Sequence, residues 1–140
     1  MSRLICLYRS VLLLPLVALP LHAQCDKSTV KGSYGLVSSA RPAAKPGAAT
    51  VKVRFVGIVK YDGVGNAAGA GLLVGPSGAP RHISVSGTYD VSTACTGEVT
   101  LSDQNGLQSI WTFVIVNGAN ELLTISEKSS DTTPFSQKKQ

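Results

Sequence analysis

From residue 31 onward the chain is a succession of short runs rich in Val, Ile, Thr, Tyr and Phe, broken by Gly, Asn, Asp and Pro, with no helix-period pattern of useful length. Apolar residues that alternate over four to eight positions between turn formers specify half-buried antiparallel strands. Lys31 to Ser39 reads as a first strand, and Arg41 to Ala49, with its prolines and alanines, as an exposed loop. Thr50 to Tyr61 is a strong strand: Val51, Val53, Phe55, Gly57, Val59 and Tyr61 share one face, while Lys52, Arg54 and Lys60 mark the other, with Val56 and Ile58 between them. Asp62 to Asn66 is a turn whose residues tolerate positive φ.

Ala67 to Val74 is small and glycine-rich, a weak strand ended by the turn Gly75 to Pro80. Arg81 to Val91 alternates cleanly, with Ile83, Val85, Gly87, Tyr89 and Val91 against His82, Ser84, Ser86, Thr88 and Asp90. Glu98 to Ser102 points Val99 and Leu101 inward, and Asn105-Gly106 is a strong hairpin signal. Gln108 to Val116, Asn120 to Ser126 and Phe135 to Gln140 complete the set around the turn Asn117-Gly118. About eight strands with short connections and no crossover helix predict an all-β fold, a small antiparallel up-and-down β-barrel, because closure removes exposed edges. An open β-sandwich is the alternative, and strand count does not separate the two.

The N-terminal stretch does not belong to this pattern. Arg3 and Arg9 precede an apolar run, Val11 to Leu21, and Leu21-His22-Ala23 puts a small residue at a cleavage position. This is the tripartite signature of a signal peptide, residues 1–23, cut after Ala23. The apolar run falls short of the roughly 20 residues that a membrane-spanning helix needs, so no membrane span is expected in the mature chain. Gln24 before Cys25 departs from a lipoprotein signal. The expected product is a single domain, residues 24–140, exported to the periplasm or secreted.

Removal of the leader takes Arg3 and Arg9 from the 13 basic residues, leaving 11 against 8 acids, a net charge of +3. The basic residues are scattered apart from Lys138-Lys139, so there is no stripe to follow a phosphate backbone and nucleic acid is not an expected partner. Cys6 leaves with the leader, and Cys25 and Cys95 form an even pair in an oxidising compartment, which predicts a disulfide.

The residues carry little recognisable chemistry. His82 is the one histidine outside the leader, and with both cysteines bridged no metal site is expected. No G-x-S-x-G elbow accompanies His82, and Asp90 and Glu98, on neighbouring strands, read as solvent-facing charges rather than a catalytic carboxylate pair. The glycines between Gly63 and Gly78 lack the strand-loop-helix setting of a phosphate cradle, and no cofactor is expected. In a barrel, Tyr34, Phe55, Tyr89, Trp111 and Phe113 are the candidate lining of a cavity for a small apolar ligand, although a barrel of this size can be filled by side chains alone. Ile110 to Val116 is apolar on both faces apart from Thr112, so its outward side is either covered by other chain or an interface for a homo-oligomer.

Several blocks point to relatives. Lys31-Gly32-Ser33-Tyr34-Gly35, then Gly87-Thr88-Tyr89-Asp90-Val91, then Cys95-Thr96-Gly97-Glu98-Val99-Thr100-Leu101, and then Trp111 to Val116 with a lysine-rich C-terminus stand in fixed order. Together they resemble a group of small secreted bacterial β-domain proteins with a G-T-Y-x-V…C-T-G-x-V-T-L core and no assigned function. More remotely, the strand plan is similar to allene oxide cyclase-like and lipocalin-like barrels. That resemblance implies an apolar cavity and an oligomer, but transfers no catalytic residue, because fold does not fix function. Three functions follow as expectations: an exported module binding an apolar ligand or a protein partner, a cyclase- or isomerase-type barrel enzyme, and a structural or self-assembling envelope protein.

Overall fold

The computed structural model describes residues 24–40, 53–75, 78–127 and 134–140. The expected leader, residues 1–23, and the stretches read above as the loop Arg41 to Ala49, the strand start Thr50 to Lys52 and the turn positions Pro76 and Ser77 lie outside the described residues. The chain forms eight strands, β1 (Gly32–Ala40), β2 (Val53–Tyr61), β3 (Asn66–Val74), β4 (Pro80–Val91), β5 (Thr96–Asp103), β6 (Gln108–Val116), β7 (Glu121–Ser126) and β8 (Phe135–Lys139). Each pairs antiparallel with the next, and β8 returns to β1, so the sheet is a closed barrel. The open sandwich is thereby ruled out. What separates the two is a long-range pairing, Tyr34↔Lys139, Gly35↔Lys138 and Leu36↔Gln137, which uses up both remaining edges.

The alternation read from the sequence is the alternation of burial. On β2, Phe55, Val59 and Tyr61 are buried while Arg54, Val56, Ile58 and Lys60 are exposed. On β4, Ile83 and Tyr89 are buried against exposed His82, Ser84, Ser86, Thr88 and Asp90. Val99 and Leu101 fill the interior from β5, Trp111 and Phe113 from β6, and Leu122 from β7.

Glycine shapes the wall. The Phe55 ring lies over Gly57 and Gly71, which are cross-strand partners, and a Cβ built on Gly57 would stand 2.5 Å from that ring and 2.6 Å from the Ala70 carbonyl. Phe113 covers Gly97, its own register partner on β5, in the same way. An aromatic ring laid over a cross-strand glycine lets the sheet coil tightly without leaving a void. The glycines of β3 thus serve as sites of close approach.

The lower end, where β1 begins and the β2–β3, β4–β5 and β6–β7 turns lie, is capped by an element with no signal in the hydrophobic pattern. Lys27–Val30 forms a 3-10 turn closed by a capping box: the Asp26 carboxylate accepts from the Thr29 amide, and the Thr29 hydroxyl accepts from the Asp26 amide. This turn presses Val30 into the barrel floor with no exposure. Three non-glycine residues with positive φ, Cys95 (61°), Asn117 (50°) and Ala119 (65°), belong to this end. Such geometry costs on the order of 1 kcal/mol and persists where neighbours over-determine it. Here they do: Cys95 is bonded to Cys25 and its carbonyl accepts from the Ile115 amide, while the Ala119 carbonyl accepts from the Tyr34 hydroxyl. Among the described residues no helix is long and apolar enough to cross a membrane.

The Cys25–Cys95 disulfide is formed, across a sequence separation of 70. Closing a loop of that length restricts the unfolded chain by about 4 kcal/mol. Replacing both cysteines by serine is therefore expected to lower Tm by on the order of 15 °C, measured by thermal melts of the two proteins under non-reducing conditions. An unchanged Tm would show that the 3-10 cap holds without its covalent tie.

Candidate functional site

The five aromatic candidates separate into two levels. Tyr34, Tyr89 and Phe113 lie toward the lower end around Tyr61, which forms edge contacts with Tyr34 (centroids 5.5 Å apart) and Tyr89 (5.0 Å) and a tilted contact with Phe113 (6.1 Å). Offset and edge geometries of this kind contribute about 1 kcal/mol each beyond area burial. Every hydroxyl in the cluster is used. Tyr34 donates to the Ala119 carbonyl at 2.7 Å. Tyr89 donates to the Lys27 carbonyl and accepts from the Gly63 amide, both at 2.9 Å, so one phenol pins the cap and the β2–β3 turn. Tyr61 donates to Gln137 Oε1 at 3.2 Å, and Gln137 Nε2 donates to Thr124 Oγ1 at 3.0 Å. Burial pushes the Tyr61 hydroxyl far above the ordinary phenol range, which keeps it a protonated donor. The chain Tyr61–Gln137–Thr124 was not visible in the sequence, where Gln137 stands in a polar, lysine-rich tail.

Phe55 and Trp111 sit higher. Tyr34, Tyr61 and Phe113 are wholly buried, whereas Phe55, Ile83 and Trp111 keep 6%, 8% and 9% of their surface. Trp111 stacks edge-on against Phe135 at 5.4 Å. Around them, Leu73 and Phe135 are half-buried against the core. Near the upper strand ends the inward-facing positions include Phe55, Leu73 and Ile83 on β2–β4, Trp111 and Phe135 on β6 and β8, and Ser38, Ser109 and Ser126 on β1, β6 and β7. Ser38 is the register partner of Phe55 and Ser126 that of Trp111, so hydroxyl-bearing and apolar side chains alternate around the upper interior.

The residues considered for acid–base work lie elsewhere. Asp90 and Glu98 are direct cross-strand partners, both exposed on the outer surface. Like charges placed opposite each other repel, and Lys27 offsets this with an ion pair to Asp90 at 3.2 Å. The hydrogen bond from Lys27 holds the Asp90 carboxyl below the usual carboxylate range. These residues border a solvent-open groove of about 370 Å3 with Lys27, Val64, Gly65, Asn66, Thr88 and Thr100. Among the described residues no three His, Cys, Asp or Glu side chains group closely enough to hold a metal ion. His82 is exposed on β4, opposite Leu72.

The outer surface carries the larger apolar feature. On β6 the outward residue Val114 is exposed, beside Leu123 and Ile125 of β7. Across the barrel, Val37, Val56, Ile58 and Leu72 form a second exposed patch, in which Val56 is register partner to both Val37 and Leu72. The sequence showed Val56 and Ile58 on the polar face of their strand, but not the neighbours that make them a patch. No family model, curated protein or solved structure matches this chain.

At the groove rim, Asp62 organises the β2–β3 turn by accepting from the amides of Val64 (2.8 Å), Gly65 (3.0 Å) and Asn66 (2.9 Å) and from the Asn66 side chain. The Val64 amide bond and its companions lower its pKa to about 2. A carboxylate whose folded pKa lies below its unfolded value stabilises the fold above the unfolded value and loses that contribution as pH falls through the folded one. The turn should therefore hold between neutrality and pH about 4 and loosen as pH approaches about 2. NMR titration of the Asp62 carboxyl should give that midpoint; a midpoint near 4 would mean the three amide bonds are not kept in solution.

Proposed function

We propose that this protein is an exported, non-catalytic binding module that works through the outer surface of its barrel, engaging a polypeptide partner rather than turning over a substrate. The observation that carries this reading is the set of exposed apolar side chains on two stretches of outer sheet, Val37, Val56, Ile58 and Leu72 on one and Val114, Leu123 and Ile125 on the other. Contiguous exposed apolar surface is rare on a protein that has nothing to bind. Glu98 and Tyr89, the groups that an isomerase-type reading would use, face solvent and serve as a structural tether respectively. The leader-like N-terminus and the disulfide support export. Native mass spectrometry of the protein recovered from its own host is the test. The expected species is a chain beginning at Gln24, lighter than its reduced form by the hydrogens of one disulfide, and bound to a second polypeptide. A bare monomer at every concentration would overturn the reading.

A second reading, binding of a small apolar ligand inside the barrel, is favoured by the apolar side chains Phe55, Ile83 and Trp111, which keep some exposure near the upper strand ends. Trp111 is the one tryptophan of the chain and retains 9% exposure at this level. Titration with a long-chain fatty alcohol should then shift its emission to the blue and saturate. An unchanged spectrum would remove this reading and leave the surface one intact.

A further inference from the structure

We propose that the partner is a second copy of this chain, joined head to tail: the β1–β3 face of one barrel seats against the β6–β7 face of the next. The proposal rests on the surface-binding reading above and names its partner from charge. On the outward positions of β1–β3 the apolar patch is bordered by Arg54 and Lys60, and no acidic residue stands among the outward positions described there. On β5–β7 the patch of Val114, Leu123 and Ile125 is bordered by Glu98, Glu121 and Glu127, and no basic residue stands among the described outward positions. Glu127 is held on that face by a hydrogen bond from the Thr112 hydroxyl, and Glu121 by one from the Asn117 side chain at 3.1 Å. Within the three strands of each face the charged outward residues are of one sign, and the two signs are opposite; Lys27, paired with Asp90, and Lys138, opposite Glu121, stand just outside the β5–β7 strands. An apolar centre with a complementary polar rim is the anatomy of a protein interface.

The complementarity also fixes the kind of contact. A two-fold dimer would place like rims together, basic on basic or acidic on acidic, which costs energy. Joining unlike faces is heterologous. In a closed barrel of eight strands taken in order, β2 and β6 lie four strands apart in either direction. The two faces therefore look in opposite directions, and both remain available after each addition. Lys138 stands on β8 between the faces, opposite Gly35 on one side and Glu121 on the other. An open array, rather than a closed pair, is the result.

Sedimentation velocity of the mature, oxidised chain supplies the test, with Ile58→Asp spoiling one face and Leu123→Asp the other. Both positions are about half exposed and point outward, so the fold should survive, and circular dichroism and the intact disulfide mass check that it does. The wild-type chain is expected to grow with concentration beyond a dimer, and to respond to salt as its ionic rim is screened. Each variant alone should stay a monomer, and the two mixed should form a one-to-one complex and stop there. A wild-type chain that remains a monomer at millimolar concentration overturns the head-to-tail contact. So does either variant alone forming a dimer, since that requires a like-to-like interface. If the wild type is a monomer alone yet leaves its host bound to another protein, self-assembly falls and the surface-binding reading stands.

Discussion

Closure of this barrel depends on a buried polar chain. β8 is a five-residue strand that meets β1 through three register pairs and β7 through four. So short a strand with Gln137 at its centre does not hold its register by apolar burial alone. Gln137 does it by bonding in two directions, accepting from Tyr61 on β2 and donating to Thr124 on β7. A slip of one residue would turn Gln137 outward and Lys138 inward, stranding the Tyr61 hydroxyl and placing an ammonium in the core. A buried donor or acceptor left without a partner costs about 1–3 kcal/mol, so one correct register is selected among several of similar apolar burial. Among the described residues no buried side-chain nitrogen or oxygen lacks a partner.

Tyr61 is also where the apolar and polar parts of the interior meet. Its ring packs against Tyr34, Tyr89 and Phe113, while its hydroxyl starts the chain to Thr124. The surrounding tyrosines repeat the arrangement, each with a ring inside and an oxygen fastening backbone at the rim. The lower end is therefore rigid because the same side chains fill it and tie its turns. Toward the upper end the Phe55 ring lies over Gly57 and Gly71, with Ser38 as its register partner on β1.

Much of the fold was legible because antiparallel sheets write their burial into the sequence with a period of two. The run from Ile83 to Val91 and the pair Val99 and Leu101 could be assigned inward without knowing their partners. The pair Cys25 and Cys95, left once Cys6 is assigned to an expected leader, gave the bridge. What the sequence withheld was long-range: the return of residues 137–139 to residues 34–36 leaves no local pattern, so barrel and sandwich looked alike. The 3-10 cap is four residues long, too short for periodicity, and only the spacing of Asp26 and Thr29 hints at it. Gln137 looked like part of a solvated tail. The site suffered most, since an outer patch exists only once register places Val37, Val56 and Leu72 side by side. Ile110 to Val116 was conspicuous because it is apolar on both faces within a single strand.

The cap at the lower end has a consequence for local opening. Val30 is driven into the floor, and the segment carrying it is anchored on one side by the bond between Cys25 and Cys95 and on the other by its direct passage into β1. Tyr89 clasps it a third time through the Lys27 carbonyl. A stopper held at three points does not swing. Opening the floor would require the 3-10 turn to leave together with the bridged Cys95 loop and the start of β1, so this end opens as one unit or not at all.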